Sequence, residues 1–493
     1  MLIPAGEVTF RLFVGFFSLS DLFICSQTAS GNDAMARYQP NKRLSALLAE
    51  SGWSAADLAR AVNTLAGGQG LTLRYDRTSV AHWLSGSRPR SPVPDLVAAA
   101  FSNRTGRPVT AGETGLERPT AVPFMHIEPG DADAVLRLVA LLRADANPAD
   151  RAGLLATAYQ HAAVPQPIWR PGSFTVPAAH RRMTERAEVR TLEEMSVLFA
   201  GLADRHGGAH ARSALALYLA DDVGRVLSRQ APPAVRRRLR SGTAQLVHVL
   251  AIMTADAGYA SLSQHYFHAA LSLAHDAGDR RVYSITLRAM SVQALRLGFR
   301  RRALRLAEAA MNAAGPDKEP AVQAFLLNQR ALVRAYHRQD RAARADLDTA
   351  QAQHALAKGP PGPFTMYTSA GLHYQSARTL LVLGRTHEAI HGWEISLRER
   401  TADQRRTSAL TLAALADTEL GIGHLEAACQ HWSTFLDLYP YLHSVRARQA
   451  LVSLRRGLRV HHRQPQAAAI LERARAALLF PSARPLRRGP ANP

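Results

Sequence analysis

The stretch "DRTSVAHWLSGSRPR", residues 76–90, gathers Arg77, Thr78, Ser79 and His82 on the leading side of a helix-sized segment, with Trp83 in its middle and Arg88 and Arg90 at its Gly/Pro exit. A guanidinium, two hydroxyls and an imidazole placed so closely are hydrogen-bonding groups with a positive bias. They suit a phosphate-bearing partner, because arginine presents a planar fork of donors that matches phosphate oxygens and guanine edges. Bond-breaking chemistry has less to work with. The chain carries no Gly-rich phosphate loop ending in Lys, no dinucleotide glycine pattern, no nucleophile elbow and no paired-carboxylate constellation. His206 and His210 stand four apart in "HGGAH", a spacing that would suit a metal on one helical turn, but the glycines between them break helix and no third ligand follows. The expectation is a chain that is not an enzyme, with no catalytic residue, metal or other cofactor.

The balance of the whole chain points the same way. Its 493 residues are 47% apolar and 20% charged, enough for several domains with cores of their own. The formal charge is +21, and nearly all of the surplus is arginine, since lysine occurs only at 42, 318 and 358. Cys25 and Cys429 lie too far apart in sequence to suggest a disulfide framework or a thiolate metal site, which fits a reducing cytoplasm. Residues 1–34 are out of character. "VTFRLFVGFFSLSDLFIC" is Phe-rich but interrupted by Arg11 and Asp21, and the apolar run between them is short for a bilayer. A secretory signal would want a positive start and a small-residue cleavage site, and "TASGNDA" matches that weakly. The segment reads as a poorly ordered or mis-assigned extension, with "MARYQPNKRL" from Met35 as the natural beginning and no membrane partner.

The elements around the 76–90 stretch are short helices. Leu44, Leu47 and Leu48 repeat at helical spacing and stop at Gly52; Ser54 then caps a second helix with Ala55, Leu58, Ala59 and Val62 on one face, ending in "LAGGQG". After "LTLRY", Asp76 caps a third helix running to about Leu84, and "VPDLVAAAFSNRTG" supplies a fourth. Val80, Trp83 and Leu84 are expected to face the core of this bundle, assigned to residues 35–111. Residues 112–190 read as a linker enclosing one helical pair, from Ala132 to His161, with a second break at "VPQPIWRPGSFTVP". Residues 481–493 read as a disordered tail.

From residue 191 to 480 the pattern is long Ala/Leu-rich amphipathic helix with a recurrence. "GYASLSQHYFHAAL" from Gly258, "GFRRRALRLAEAAM" from Gly298, "GRTHEAIHGWEISL" from Gly384 and "GHLEAACQHWSTFL" from Gly423 align on a Gly, a small residue five on and an apolar or small residue nine on. "QDRAARADLDTAQA" near 339 is a degraded copy. Each unit predicts a helix ending at the Gly, a turn and a second helix, and such pairs must stack to bury their apolar faces, giving a right-handed superhelix with an inner groove. The basic runs "RRRLR" at 236–240 and "RRR" at 300–302 read as solvated helix ends or, alternatively, as groove residues for an acidic peptide or DNA; His265, His268, His461 and His462 read as surface polar residues of the repeats.

These residues resemble known families. The units at Gly298 with Ala303 and Ala310, and at Gly384 with Ala389 and Trp393, resemble tetratricopeptide repeats, without the usual early Trp and with Pro320 as a loose match to the closing Pro. "SAADLARAV" and "RTSVAHWLSGSRPR" resemble the two motif helices of repressor-like helix-turn-helix regulators, although "NTLAGGQGLTLRYD" is a longer connection than that family uses. Together with "DRHGGAHARSALALYL", they resemble large actinobacterial regulators of development and secondary metabolism, the negative-regulator-of-differentiation type. The resemblance implies an all-α chain, a helix-turn-helix bundle followed by a tetratricopeptide-like solenoid. It also implies a cytoplasmic, nucleoid-associated transcriptional regulator, a repressor in kind.

In such a motif the second helix lies in the major groove and its leading side chains meet base edges. The residues expected to read bases are Arg77, Thr78, Ser79 and His82, with Arg77 foremost because it can bond guanine O6 and N7 together. Lys42, Arg43, Arg74, Arg88 and Arg90 are expected to contact phosphate. The partners implied are double-stranded DNA, a regulatory peptide or protein in the repeat groove, and a second copy, since one motif reads only a half-site. The alternative is a repeat scaffold whose bundle does not bind DNA.

Overall fold

The computed structural model describes residues 40–479 apart from 69–70, 91, 108, 117–133, 156–158, 160–166, 168, 170–182, 317–318, 359–363 and 365–367. The expected extension at 1–34, the tail at 481–493 and most of the break near 164–177 lie outside the described residues. Among the described residues the chain is all-α, with no strand.

Four helices form the bundle. α1 (Lys42–Ser51) begins where the Asn41 side chain accepts from the Leu44 N–H, and ends at Gly52, whose φ of 64° turns the chain back so that its N–H reaches the carbonyls of Leu48 and Ala49. α2 (Ala55–Gly68) is capped reciprocally: the Asp57 carboxylate accepts from the Ser54 N–H at 3.0 Å while the Ser54 hydroxyl accepts from the Asp57 N–H at 3.2 Å. α3 (Arg77–Leu84) and α4 (Val93–Thr105) follow. Leu44, Leu58, Val62, Val80, Leu96 and Phe101 are fully buried between them. Each such side chain contributes about 1.5–3 kcal/mol relative to an exposed one.

The bundle runs past its expected end. After α4 the chain doubles back, the Ser102 hydroxyl accepting from the Val109 N–H at 2.7 Å and donating to Ala98 O at 2.8 Å. Val109 and Leu116 plug the same core, and Asn41 Nδ2 donates to Thr114 O at 2.9 Å. The boundary expected at 111 therefore falls after Leu116, because residues read as the start of a linker supply two apolar plugs.

α5 (Ala134–Ala146) and α6 (Pro148–Leu155) are the pair expected between the breaks, but α5 is part of the repeat body. Its fully buried Asp145 accepts two hydrogen bonds from Arg212, at 2.6 and 3.0 Å, and one from the Tyr266 hydroxyl at 2.7 Å. A buried carboxylate is tolerable only when so surrounded. α7 (Met183–His206), α8 (Arg212–Tyr218), a π turn at Leu219–Val223 and α9 (Gly224–Leu227) lead into the repeats.

The repeats are consecutive antiparallel pairs. α10 (Pro233–Asp256) packs with α11 (Ala260–Ala277), α12 (Arg280–Arg296) with α13 (Arg300–Ala314), and α14 (Pro320–Tyr336) with α15 (Asp340–Leu356). Then α16 (Ser369–Val382) packs with α17 (Thr386–Arg398), α18 (Arg405–Gly421) with α19 (Leu425–Leu438), and α20 (Val445–Leu458) with α21 (Pro465–Leu479). The recurring glycines sit at the turn inside each pair with φ of 97° at Gly258, 87° at Gly298, 76° at Gly384 and 89° at Gly423. In the degraded copy Arg338 holds that left-handed position at 60°, a geometry side chains adopt at a cost of about 1–2 kcal/mol. Five residues on, Ser263, Ala303, Ala343, Ala389 and Ala428 are all fully buried, where anything larger would push the two helices apart. Nine on, Phe267, Ala307, Trp393 and Trp432 fill the layer between pairs.

The first helices of the pairs line an inner face that closes on itself. Asp256, at the end of α10, accepts two hydrogen bonds of 3.0 Å from Arg406 of α18, one of 3.0 Å from the Ser444 hydroxyl capping α20, and one of 2.8 Å from Gly208 N. Burial alone would raise its carboxyl, but Arg406 brings it down to about 2. α7 packs against both α10 and α18, the Thr407 hydroxyl donating to Asp204 at 3.1 Å.

The readings of two residues and of the basic runs need correction. His265, expected on the surface, is 7% exposed. Arg302 is fully buried, its Nε 3.2 Å from the Tyr159 hydroxyl, so one member of the run at 300–302 is not solvated. The run at 300–302 also fills the first turn of α13, the end at which the helix dipole disfavours cations, while the run at 236–240 begins only at the end of the first turn of α10.

Candidate nucleic-acid interface

α3 is short, eight residues, so its direction is set by what holds its ends and back. At the front, the Asp76 carboxylate accepts from the Ser79 N–H and hydroxyl, both at 2.8 Å. These bonds from Ser79 hold the Asp76 carboxyl below the usual carboxylate range. Behind, Val80 is fully buried and Trp83 is 4% exposed, its ring meeting Tyr75 edge-on at a centroid distance of 5.0 Å. The long connection from α2 is pinned at its far end by one side chain. Asn63 of α2 donates to Tyr75 O at 2.8 Å and accepts from Tyr75 N–H at 2.9 Å, so α3 starts from a point fixed on α2 despite the length of chain between them. At the other end Asn41 N donates to Leu84 O at 2.8 Å, which brings the start of α1, and with it Lys42, to the end of α3.

The outward face of α3 carries Arg77, Thr78, Ala81 and His82, all exposed. Ser79, expected to read bases with them, is half-buried and gives its hydroxyl to the cap, leaving a structural task where a recognition one was expected. Ala81 stands in its place on that face, and an alanine methyl is suited to contact with a thymine methyl. Arg74 is exposed just before α3, and Arg88 and Arg90 just after it. Arg43 is exposed but donates to Gly112 O at 3.0 Å, tying down the turn after α4.

The acids of the bundle are engaged elsewhere. Arg107 binds Glu50 through two hydrogen bonds of 2.8 Å and Glu113 at 3.1 Å, Arg60 pairs with Asp57, and Asp76 serves the cap. Hydrogen bonds from Ser54, with Arg60 adding, hold the Asp57 carboxyl down at about 2. Among the described residues none of Lys42, Arg74, Arg77, Arg88 or Arg90 takes part in an ion pair. Exposed cations without acidic partners thus flank an exposed helix, a distribution that would suit a phosphate backbone.

The bundle meets the repeats by the far ends of α2 and α4. Gly68 approaches the Leu297 backbone, and Arg301 donates to Arg104 O at 3.4 Å. Among the described residues no hydrogen bond or ion pair joins α3 to the repeats, so its outer face stays open. Asn63 and Ala81 escaped sequence reasoning. The first acts across twelve residues, and the second is chemically plain, although its position four after Arg77 marks the same face.

The histidines of "HGGAH" lie side by side, the His206 and His210 rings tilted with centroids 4.5 Å apart, and His443 stacks on His210 at 5.8 Å. Among the described residues no group of three or more His, Cys, Asp or Glu is arranged to hold a metal ion. Nor is any helix among them long and apolar enough to cross a membrane.

Comparison with known proteins singles out the bundle. The sequence model of a family described as SP15 N-terminal domain matches residues 44–117, which spans the bundle from the first buried leucine of α1 to the plug at Leu116. No curated protein matches the chain. Over those residues the chain is similar to SP15 N-terminal domains.

Proposed function

We propose that the chain is a DNA-binding transcriptional regulator: α3 reads an operator, and the helical repeats carry a regulatory input by binding a peptide or protein partner. The observation that carries this reading is the exposed face of α3, with Arg77, Thr78 and His82 outward, Val80 and Trp83 behind, and no acid paired to the surrounding cations. The resemblance to actinobacterial negative regulators of differentiation supports a repressor of development or secondary metabolism acting at the nucleoid. A homodimer follows from the half-site that one motif covers.

The roles are separable. Arg77 is the specificity residue, and Arg77→Ala relaxes base preference at one position by about 1–3 kcal/mol. Arg90 is a phosphate contact, and Arg90→Ala weakens every sequence alike while lowering the salt slope by about one. Genome-wide mapping of bound DNA, followed by footprints of both variants at two salt concentrations, tests this. Unchanged footprints in both would remove the assignment. The length of the α2–α3 connection favours a second reading, a repeat scaffold that does not touch DNA, and the absence of any salt-sensitive gel shift with the full chain would select it.

A further inference from the structure

The inner face of the repeats holds more positive charge than its acids answer. Arg406 pairs with Asp256, and its guanidinium also lies 4.0 Å from Asp204. Arg446, the second residue of α20, adjoins Arg406, and Arg378 of α16 and Arg296 of α12 close the group. Four guanidiniums thus stand around two carboxylates, Asp256 and Asp204, and a fifth, that of Arg400, lies beside Tyr374. Two of them, Arg406 and Arg446, stand in the first turns of α18 and α20, helix ends with no acid in the first turn and a positive dipole of their own.

The cluster surrounds Tyr374, with Arg378 and Arg400 at 6.0 and 5.9 Å from its ring. Burial alone would raise the Tyr374 phenol, yet Arg446, Arg378 and Arg400 outweigh it and bring it below its ordinary value. Arg296 is exposed to solvent, and Tyr374, Arg378 and Arg446 are partly so, so the cluster is open to water.

A cavity of about 280 Å³ adjoins them, between α7, α10, α12, α14 and α18. Arg406 and Asp256 belong to both the cavity and the cluster. The rest of the lining is largely apolar, with Ile252, Met253 and Ile285, and with Phe325 lying 3.6 Å beneath the Arg288 guanidinium. We propose that this inner face binds a small phosphate ester, its phosphoryl groups between Arg296, Arg378, Arg406 and Arg446 and its compact, mostly apolar body in the adjoining cavity. Guanidinium forks match phosphate oxygens in geometry, and the volume is near the lower end of small-ligand sites. Among phosphate esters, a nucleoside diphosphate adds to this charge a flat base whose faces can pack against such apolar walls. The ligand is additional to the partner named above.

The test uses the full chain at fixed ionic strength, without DNA, so that its outcome and that of the DNA experiment are independent. Titration calorimetry is run with inorganic pyrophosphate, ADP, GDP and, as a carboxylate control, citrate. Saturable binding of pyrophosphate, tighter binding of at least one nucleoside diphosphate and weaker binding of citrate are expected. Arg378→Met and Arg446→Met should each weaken pyrophosphate binding at least about tenfold while raising the Tm of the free protein, because each removes a repelled like charge. A merely structural arginine would lower it. Ile252→Trp, which fills the cavity from its partly open side, should abolish the advantage of the nucleoside diphosphates and leave pyrophosphate unaffected. No saturable binding of any phosphate, citrate binding as tight as pyrophosphate, or methionine variants that bind unchanged or lose stability would each overturn the proposal.

Discussion

Arg74, Arg77, Arg88 and Arg90 in the bundle and Arg296, Arg378, Arg406 and Arg446 in the repeats are the same chemical group in opposite settings. The first four stand on an exposed surface, where water and salt screen them and their mutual repulsion is small. The second four converge on the inner face of the repeats, Arg296 open to solvent but Arg378, Arg406 and Arg446 half-buried, where screening is weaker and repulsion is felt. Such a difference separates two kinds of anion. An extended polyanion such as a duplex meets cations spaced along a surface, whereas enclosed cations require a compact partner that can enter.

The largest expected effects test whether the two regions are separate. Trp83→Ala removes the side chain that supports α3 from behind and should cost about 3–5 kcal/mol, abolishing DNA binding. Asp256→Ala leaves Arg406 buried without its carboxylate and should cost a similar amount, about 3–5 kcal/mol. Hydrogen exchange distinguishes them. Protection should fall over residues 41–116 in the first variant and over α10, α18 and α20 in the second. Loss of protection in the bundle on Asp256→Ala would mean that one cooperative unit spans both, as the continuous apolar core from Leu44 to Phe364 would permit, and the contrast would reduce to surface charge alone.

Acid should separate the regions next. His248 is buried 3.0 Å from the Thr286 hydroxyl and edge-on to the rings of Phe267 and Phe364. Burial, with Arg288 adding, holds its imidazole down at about 3. The unfolded chain takes up that proton near pH 6.5 and the folded chain does not, so stability is full above about 6.5 and falls as pH drops toward 3. The slope reaches about 1.4 kcal/mol per pH unit. In the bundle the held-down groups are carboxylates, Asp57 and Asp76, whose contribution is present above their unfolded values near 4 and is lost only below that. Between pH about 6 and 4.5 the repeats should therefore weaken while the bundle holds, as followed by exchange or limited proteolysis. A bundle that loosens first would reverse the order.

Local signals carried most of the fold. Caps at Ser54 and Asp76, the stops at Gly52 and Gly106 and the glycine recurrence in the repeats each act within a few residues, where sequence is the cause of structure. What escaped was long-range. Arg302 beneath Tyr159, the Asp256 hub with partners 150 and 188 residues away, and the Asn63 clamp depend on which helices meet, and nothing in the neighbouring residues announces that. At the candidate interface the outward placing of Arg77, Thr78 and His82 was legible from helical spacing. Ser79 was not, because two tasks compete for one hydroxyl. Asp-x-x-Ser at a helix start is itself a capping signal, and the cap is the nearer partner.

The smallest effect isolates that competition. Asp76→Ala deletes the cap of an eight-residue helix and should cost the bundle about 1 kcal/mol, and Ser79→Ala should cost a fraction of that because the Asp76 carboxylate still accepts from its N–H. Ser79→Ala should also leave the operator preference unchanged, since the hydroxyl already donates to Asp76. Asp76→Asn gives a sharper comparison, because asparagine caps as well as aspartate but carries no charge. It should retain stability and tighten binding to every DNA sequence, by removing a negative charge two residues from Arg74 and next to Arg77. Denaturant titration and footprints at two salt concentrations separate these outcomes. A change in base preference in Ser79→Ala, with stability intact, would return the hydroxyl to the reading face and show that the cap opens when DNA binds.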